Sequence, residues 1–264
     1  MPANWLQATF GVAKPLIGMI HLQPLPGSPG FAGDLKRIAD AALRDAQVLA
    51  EGGFDGCIVE NFGDTPYFPE RVPQVTVAAM AVICERLVRE SPLPLGVNVL
   101  RNDALAALSI AAVVGARFIR VNVLAGAMVT DQGIVAGKAH EVMRLRSALR
   151  AQVLVLADVL VKHAAPLGEA DIVRHGLDLV ERANADGVIV TGKATGEAPA
   201  PETVQLLRQS MPHTAIFVGS GLTPDNLHRF LPWCDGLIVG TWLKEKGSIS
   251  PRRVREFVRA VERK

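Results

Sequence analysis

Three cysteines in 264 residues, Cys57, Cys84 and Cys234, are too few and too scattered for a disulfide framework or a zinc cluster. Cys57 and Cys84 lie within apolar runs and read as small buried hydrophobes, and Cys234 reads as a residue at a strand entrance. No stretch approaches the ~20 uninterrupted apolar residues that cross a bilayer. Residues 1–14 lack a basic region followed by an apolar segment and a small-residue cleavage site. The expectation is a cytoplasmic protein without a membrane span. A formal net charge of +2 gives no argument for nucleic acid. The one basic concentration, Arg252, Arg253, Arg255, Arg259, Arg263 and Lys264, is interleaved with glutamates at helical spacing and reads as a solvated helix face. Linkers and low-complexity segments are absent, as are HxH and HExxH. Residues 191–196 (TGKATG) lack the GxxxxGK[ST] spacing of a P-loop. No organic cofactor has a motif here.

What is present is apolar and repetitive. Hydrophobic residues make up 49% of the chain and the mean hydropathy is +0.26, which suits parallel strands buried on both faces. Short apolar runs rich in β-formers stand at 16–22, 56–61, 95–100, 118–124, 153–159, 187–191, 216–219 and 236–240, with helical patterns between them. Asn102, Thr223-Pro224 and Ser250-Pro251 read as helix starts. Gly52-Gly53, Gly115 and the turn at 184–187 read as stops. Eight alternating units predict an α/β fold of the (βα)8 TIM-barrel type. The expected layout is one domain over 1–264, with an N-terminal extension at 1–14 and the barrel at 15–264. An open doubly wound sheet would place a glycine-rich phosphate loop after its first strand, where this chain has a stiff proline loop at 23–29. The exits from strands 1, 2, 4 and 6 are long (23–33, 62–73, 125–137 and 192–201), and in a barrel all of them lie on the rim that carries active sites.

Period-two alternation sorts the strand residues. Ile119, Val121 and Val123 face the helices, which puts Arg120 and Asn122 in the lumen; Asp158 shares a face with Leu154 and Leu156, and Asn98 with Gly96. Strand 1 ends in His21 and strand 2 in Glu60. Polar side chains from five strands therefore converge on one rim, as an ion network or as a solvated site, because an unpaired polar group in a dry core costs several kcal/mol. Arg120, deep in its strand, suits the network, neutralising Glu60 or Asp158. Glu60, Asp158 and His21, at strand ends, suit general acid–base work. Lys162 is placed to neutralise a phosphate, polarise a carbonyl or form a Schiff base, or to stand solvated on the rim. His163 is a candidate acid/base or metal ligand. A divalent site from His21, Glu60, Asp158 and His163 is chemically open, but the spacing assigns no metal ligand. Asn98 and Asn122 are candidate hydroxyl binders, with Arg120, Thr191 and Lys193 as further substrate contacts.

The seventh and eighth strands end in Gly219-Ser220-Gly221 and Gly240-Thr241. Glycines admit close backbone approach, and these two rims are the recurrent phosphate position of such barrels. With Gly192 beside them, they are the candidate phosphate-binding residues.

At these segments the chain resembles the BtpA/SgcQ family. The matching stretches are 14–22 (KPLIGMIHL), 55–64 (DGCIVENFGD), 96–102 (GVNVLRN), 118–122 (FIRVN), 157–164 (ADVLVKHA) and 191–196, continuing to Gly219-Ser220-Gly221 and Gly240-Thr241. One departure is Leu160, where many relatives are expected to carry histidine. The resemblance implies a barrel of the ribulose-phosphate-binding type. The family takes its name from photosystem I biogenesis, and some members are associated with sugar metabolism or with nucleoside triphosphate hydrolysis. It supplies no catalytic assignment to carry over.

The expected function is an enzyme that binds a phosphorylated sugar or similar small metabolite and acts as an isomerase, epimerase or aldolase-type lyase. The alternatives are a non-catalytic photosystem I assembly factor and a metal-assisted hydrolase. Trp5, Phe10 and Trp242 are open to two readings, a homo-oligomer interface or internal packing.

Overall fold

The computed structural model describes residues 5–168 and 170–262. Each apolar run forms a strand, within one or two residues in most cases: β1 (Leu16–His21), β2 (Gly56–Glu60), β3 (Leu95–Asn98), β4 (Phe118–Val121), β5 (Leu154–Val159), β6 (Gly187–Val190), β7 (Ala215–Gly219) and β8 (Gly236–Val239). They pair in chain order, and β8 pairs with β1 through Leu16↔Leu237 and Ile17↔Ile238, which closes an all-parallel eight-stranded barrel. The helices are α1 (Trp5–Phe10), α2 (Leu35–Glu51), α3 (Gln74–Glu90), α4 (Ala104–Val114), α5 (Ala139–Ala148), α6 (Ile172–Leu177), α7 (Pro201–Ser210) and α8 (Pro251–Glu262). No helix among the described residues is long and apolar enough to cross a membrane.

Two helix starts differ from expectation. Asn102 does not cap α4; its side chain bridges the backbone of Val123 instead, and Asp103 is the cap, accepting the Ala106 N–H at 3.0 Å. Thr223 starts no long helix. The Thr223 N–H donates to Asn226 Oδ1 and Asn226 Nδ2 donates to Gly221 O, which commits the segment to a local turn, and only a 3₁₀ turn at Leu227–Arg229 follows. Gly115 closes α4 at φ 81°, the left-handed conformation that a C-terminal glycine supplies.

Inward-facing residues of seven strands fill the lower lumen: Ile17, Met19, Ile58, Phe118, Leu156, Ile189, Phe217 and Ile238. Large and small residues fit each other there. A Cβ on Gly96 would lie 2.3 Å from the Phe118 ring, and one on Gly236 would lie 2.5 Å from the Phe217 ring. Helix α1 plugs the floor. Leu6 and Phe10 are buried in the same cluster, Phe10 meets Phe118 edge-on at 5.5 Å, and Trp5 stacks on Phe217 at 6.2 Å. Burying side chains of this size contributes about 1.5–3 kcal/mol each. Within the stretch expected to be an N-terminal extension, Trp5, Leu6, Phe10 and Val12 thus pack against the base of the barrel; residues 1–4 lie outside the described residues. Trp242 packs on Phe257 at 5.8 Å with Arg253 over its ring, so these aromatics are accounted for by internal packing. A second shell of apolar side chains joins the outer strand faces to the helices and includes Cys57, Cys84 and Cys234. On α8, Arg252 pairs with Glu245 and Glu256, and Arg253 with Glu245, while Arg263 and Lys264 lie outside the described residues.

The rim carries a sheet that the alternation of runs does not reveal. Ala127–Thr130 and Gly133–Ala136 form a hairpin, and Ala164–Pro166 from the β5 exit adds a third antiparallel strand. A small core of Val123, Met128, Val135 and Val161 lies beneath it. Leu160 packs against this core at φ 52°.

Candidate functional site

Strand register carries polar side chains to the top of the lumen. His21 pairs with Glu60 and Glu60 with Asn98, so three adjacent strands present one row at one height. Arg120 and Asn122 come from β4 and its exit, and Asp158 from β5. Arg120 registers with Leu156 and Asp158 with Ile189, so this part of the group borders the apolar lumen directly.

Two arrangements separate within this group. Arg120 reaches Asp158, not Glu60: Nε–Oδ1 and Nη2–Oδ2 are each 2.9 Å, and Asn122 Nδ2 donates to the same Oδ2 at 2.9 Å. Asn98 Nδ2 donates to Arg120 O and Asn122 Oδ1, which extends the network by two bonds. Asp158 is 1% exposed, and both its oxygens accept hydrogen bonds from within the network. A planar bidentate pair of this kind, with Asn122 donating a third hydrogen bond to the carboxylate, fits a buried structural ion pair. Asn98 Oδ1 remains buried without a partner among the described residues.

Glu60 differs. It is 4% exposed, and its nearest partner is His21 Nε2 at 3.8 Å from Oε1, beyond hydrogen-bond length. The His21 ring stacks on Phe62 at 4.3 Å between centroids. Burial, reinforced by Lys244, Lys162 and Arg120, holds the His21 imidazole well below its ordinary pKa, so it is neutral at pH 7 and the contact with Glu60 is no salt bridge. Glu60 opens into a cavity of about 440 Å³ walled by Phe62, Tyr67, Leu100, Arg101, Asp131, Lys162, His163 and Thr195.

Three cations surround that carboxyl. Arg101 is 6% exposed, and its Nη2 donates to Lys162 O at 2.6 Å; burial lowers its guanidinium pKa. Burial also pushes the Lys162 ammonium down, helped by Arg120 and opposed by Glu60. Lys244, just past β8, donates to Met19 O at 2.9 Å, and burial lowers it to about 8. With Arg120 neutralised by Asp158, the cations Arg101, Lys162 and Lys244 face Glu60, and Asp45 stands on the far side of Lys244. Asp131, exposed at the mouth, offsets part of their charge.

The remaining candidates distribute around the rim. The Thr195 N–H donates to His163 Nε2 at 3.1 Å, which leaves the imidazole proton on Nδ1; the His163 N–H donates to Lys193 O. This ties the β5 exit to the β6 exit and places His163 and Thr195 on the cavity wall. Thr191, Gly192 and Lys193 line a separate groove of about 760 Å³ between these exits and the start of α7, away from Glu60. The glycine loops occupy the other half of the rim. A Cβ on Gly221 would lie 2.1 Å from Ala198 N, and one on Gly192 would lie 2.2 Å from Glu197 O, so both positions admit the crossing of the β6 exit. Ser220 and Gly221 have φ of 69° and 59°. Gly240 adjoins Met19 and His21, its Cβ position being 3.6 Å from His21 Nε2. Thr241 opens a 3₁₀ turn at Thr241–Leu243. The helix N-terminus expected to face a dianion after Thr223 is replaced by the turn described above.

Among the described residues no three His, Cys, Asp or Glu side chains are grouped to share a metal ion. Of the four ligands considered, only His21 and Glu60 meet; Asp158 is taken by Arg120, and His163 turns to Thr195. Arg101, Lys244 and Tyr67 were not foreseen. Arg101 and Lys244 lie beyond strand ends, where period-two alternation no longer fixes direction, and their position at C-terminal strand ends was their one signal.

Residues 12–263 match the model of the BtpA family. The chain is 46% identical over 257 residues to the photosystem I biogenesis protein BtpA of Synechocystis sp., covering 96% of this chain and 90% of that protein. It is 50% identical over 249 residues to an uncharacterised protein of Thermococcus kodakarensis, covering 93% and 94%. Among solved structures, (S)-3-O-geranylgeranylglyceryl phosphate synthase from Thermoplasma acidophilum, in complex with sn-glycerol-1-phosphate, superposes with a TM-score of 0.62 at 14% identity over the full length of both chains. That likeness is one of fold.

Proposed function

The chain belongs to the BtpA family, and we propose that it is an enzyme that binds a phosphorylated small molecule above Glu60 and moves a proton on it. One observation carries this reading. Glu60 is a buried carboxyl that takes no part in the barrel's ion network, opens to a cavity, and is faced by Arg101, Lys162 and Lys244. Three cations gathered around one enclosed carboxyl, with desolvation lowering the pKa of all three, are stabilised further by an anionic ligand. Lys162 and Arg101 hold the anionic group, and Lys244 adds charge from the β8 side. Glu60 takes a proton from carbon or hydroxyl, and neutral His21, stacked on Phe62, exchanges it. Lys162 stabilises the oxyanion that forms beside a carbonyl. Isomerisation and epimerisation need these elements; aldol-type cleavage needs them too, or an imine on a lysine with a lowered pKa such as Lys162. Asp158 acts through Arg120 and Asn122 by holding the floor of the site. The loops at 219–221 and 240–241 are a second position for the phosphate, supported by Gly240 beside His21. The crowding at Gly221 favours the basin at Arg101 and Lys162.

The assembly reading is supported by the name of the Synechocystis relative. The Thermococcus kodakarensis relative, at 50% identity, carries no such name. The test is a turnover screen of sugar and polyol phosphates followed by proton exchange with solvent. Glu60→Gln is expected to lose about 10²–10⁴-fold in rate with the fold intact. Full activity in that variant would refute the assignment.

A further inference from the structure

Beside the cavity over Glu60 lies a smaller one of about 180 Å³, and the two share Tyr67 and Leu100 as walls. The proline loop after β1 covers it with Gly27 and Ser28, and the β2 exit forms its sides. Its chemistry differs from that of the first cavity. No lysine or arginine lines it, and Pro66, Phe68 and Val72 offer apolar surface. Its other polar groups are already committed. Asn61 Nδ2 donates to Asp64 Oδ2 at 3.1 Å, Asp64 Oδ1 accepts the Leu25 N–H at 2.7 Å, and Thr76 Oγ1 donates to Pro26 O at 2.8 Å. The exception is Ser28 Oγ, which is buried with no hydrogen-bond partner among the described residues. A buried hydroxyl left unpaired is destabilising, and a ligand group that pairs with it removes that cost. Asp64 in the wall disfavours a second anion.

We infer that this chamber is a second subsite of the same active site, taking a single uncharged ring carried by a substrate whose anionic group sits with Arg101 and Lys162. The inference rests on the reading of the first cavity as an anion site. An apolar cavity of about 150 Å³ takes up benzene, so this one holds a six-membered ring and leaves room for a substituent that meets Ser28 Oγ. Tyr67 Oη donates to Phe62 O at 2.7 Å, which fixes the wall between the head and ring positions. The substrate class becomes a ring-bearing phosphate rather than a short open-chain sugar phosphate.

The probes are inorganic phosphate, benzyl phosphate and benzyl alcohol, with affinities from calorimetry and ligand-observed NMR. Wild type should bind benzyl phosphate at least about tenfold tighter than phosphate. Val72→Phe, which fills the chamber and lies outside the wall of the cationic cavity, should remove that gain and leave phosphate affinity unchanged. Ser28→Ala, a smaller change, should abolish any preference for a ring-hydroxylated benzyl phosphate over benzyl phosphate itself. If phosphate binds, benzyl phosphate is no tighter, and benzyl alcohol gives no Val72-dependent signal, the ring subsite is overturned while the anion reading stands. Should benzyl alcohol bind in a Val72-dependent way without phosphate binding, the chamber is supported and the anion reading falls.

Discussion

Replacing Asp158 by asparagine separates the structural from the chemical carboxyl. Arg120 and Asp158 are 4% and 1% exposed and joined by two 2.9 Å bonds. Asp158→Asn keeps the shape but leaves the guanidinium buried without a counter-charge. Breaking a buried pair by removing one partner costs about 3–5 kcal/mol. Unfolding entropy of about 2.1 cal/mol/K per residue gives roughly 0.55 kcal/mol/K for a chain of this length, so the melting midpoint should fall by about 5–9 °C. Scanning calorimetry and urea unfolding at pH 7 measure this directly. The double variant Asp158→Asn/Arg120→Met removes both charges and should recover most of the loss, as apolar replacement of buried pairs does. A drop in Asp158→Asn below about 1 kcal/mol, roughly 2 °C, would refute the structural assignment.

Other outcomes follow from the same geometry. Glu60→Gln should change stability by less than about 1 kcal/mol, because no bond of the fold depends on that carboxyl, while removing turnover. Lys244 titrates at about 8, so anion affinity is full below that pH and weakens as pH rises through it; Lys244→Arg should carry the weakening out of the measurable range. His21, held neutral, should contribute no step between pH 6 and 8. Phe10→Ala should cost about 3–5 kcal/mol through the cavity it leaves under Phe118, with KM unchanged in the folded fraction, since it lies at the opposite end of the barrel from Glu60.

The barrel was legible because two periods are written into the chain. Runs of β-formers mark eight strands, and the residues between them carry the helical period, so order and closure followed without knowledge of contacts. Alternation also placed Asn98, Arg120 and Asp158 inward, because a strand fixes which face each side chain takes. It could not choose between Glu60 and Asp158 as the partner of Arg120, which depends on rotamers across the lumen. The sheet at 127–136 and 164–166 was missed because its strands are three or four residues long and pair across separate exits. The helix expected after Thr223 was lost to the Asn226 side-chain bonds, a local competition that a capping pattern does not register. Arg101 and Lys244 escaped notice because their directions are set by loops. The N-terminal segment read as an extension because a six-residue helix shows little periodicity, whereas Leu6 and Phe10 find their place only against the closed barrel floor.

The central claim is that the cationic cavity above Glu60 takes the anion of a phosphorylated small molecule. The most direct measurement is the unfolding midpoint during titration with inorganic phosphate, comparing wild type with Arg101→Leu/Lys162→Met. At a hundredfold excess over Kd, specific binding contributes about 2.7 kcal/mol, or roughly 5 °C for a chain of this length. Wild type should show a saturable rise of that size, and the double variant only the shallow, non-saturating rise of a stabilising salt. Equal responses in the two proteins would contradict that claim.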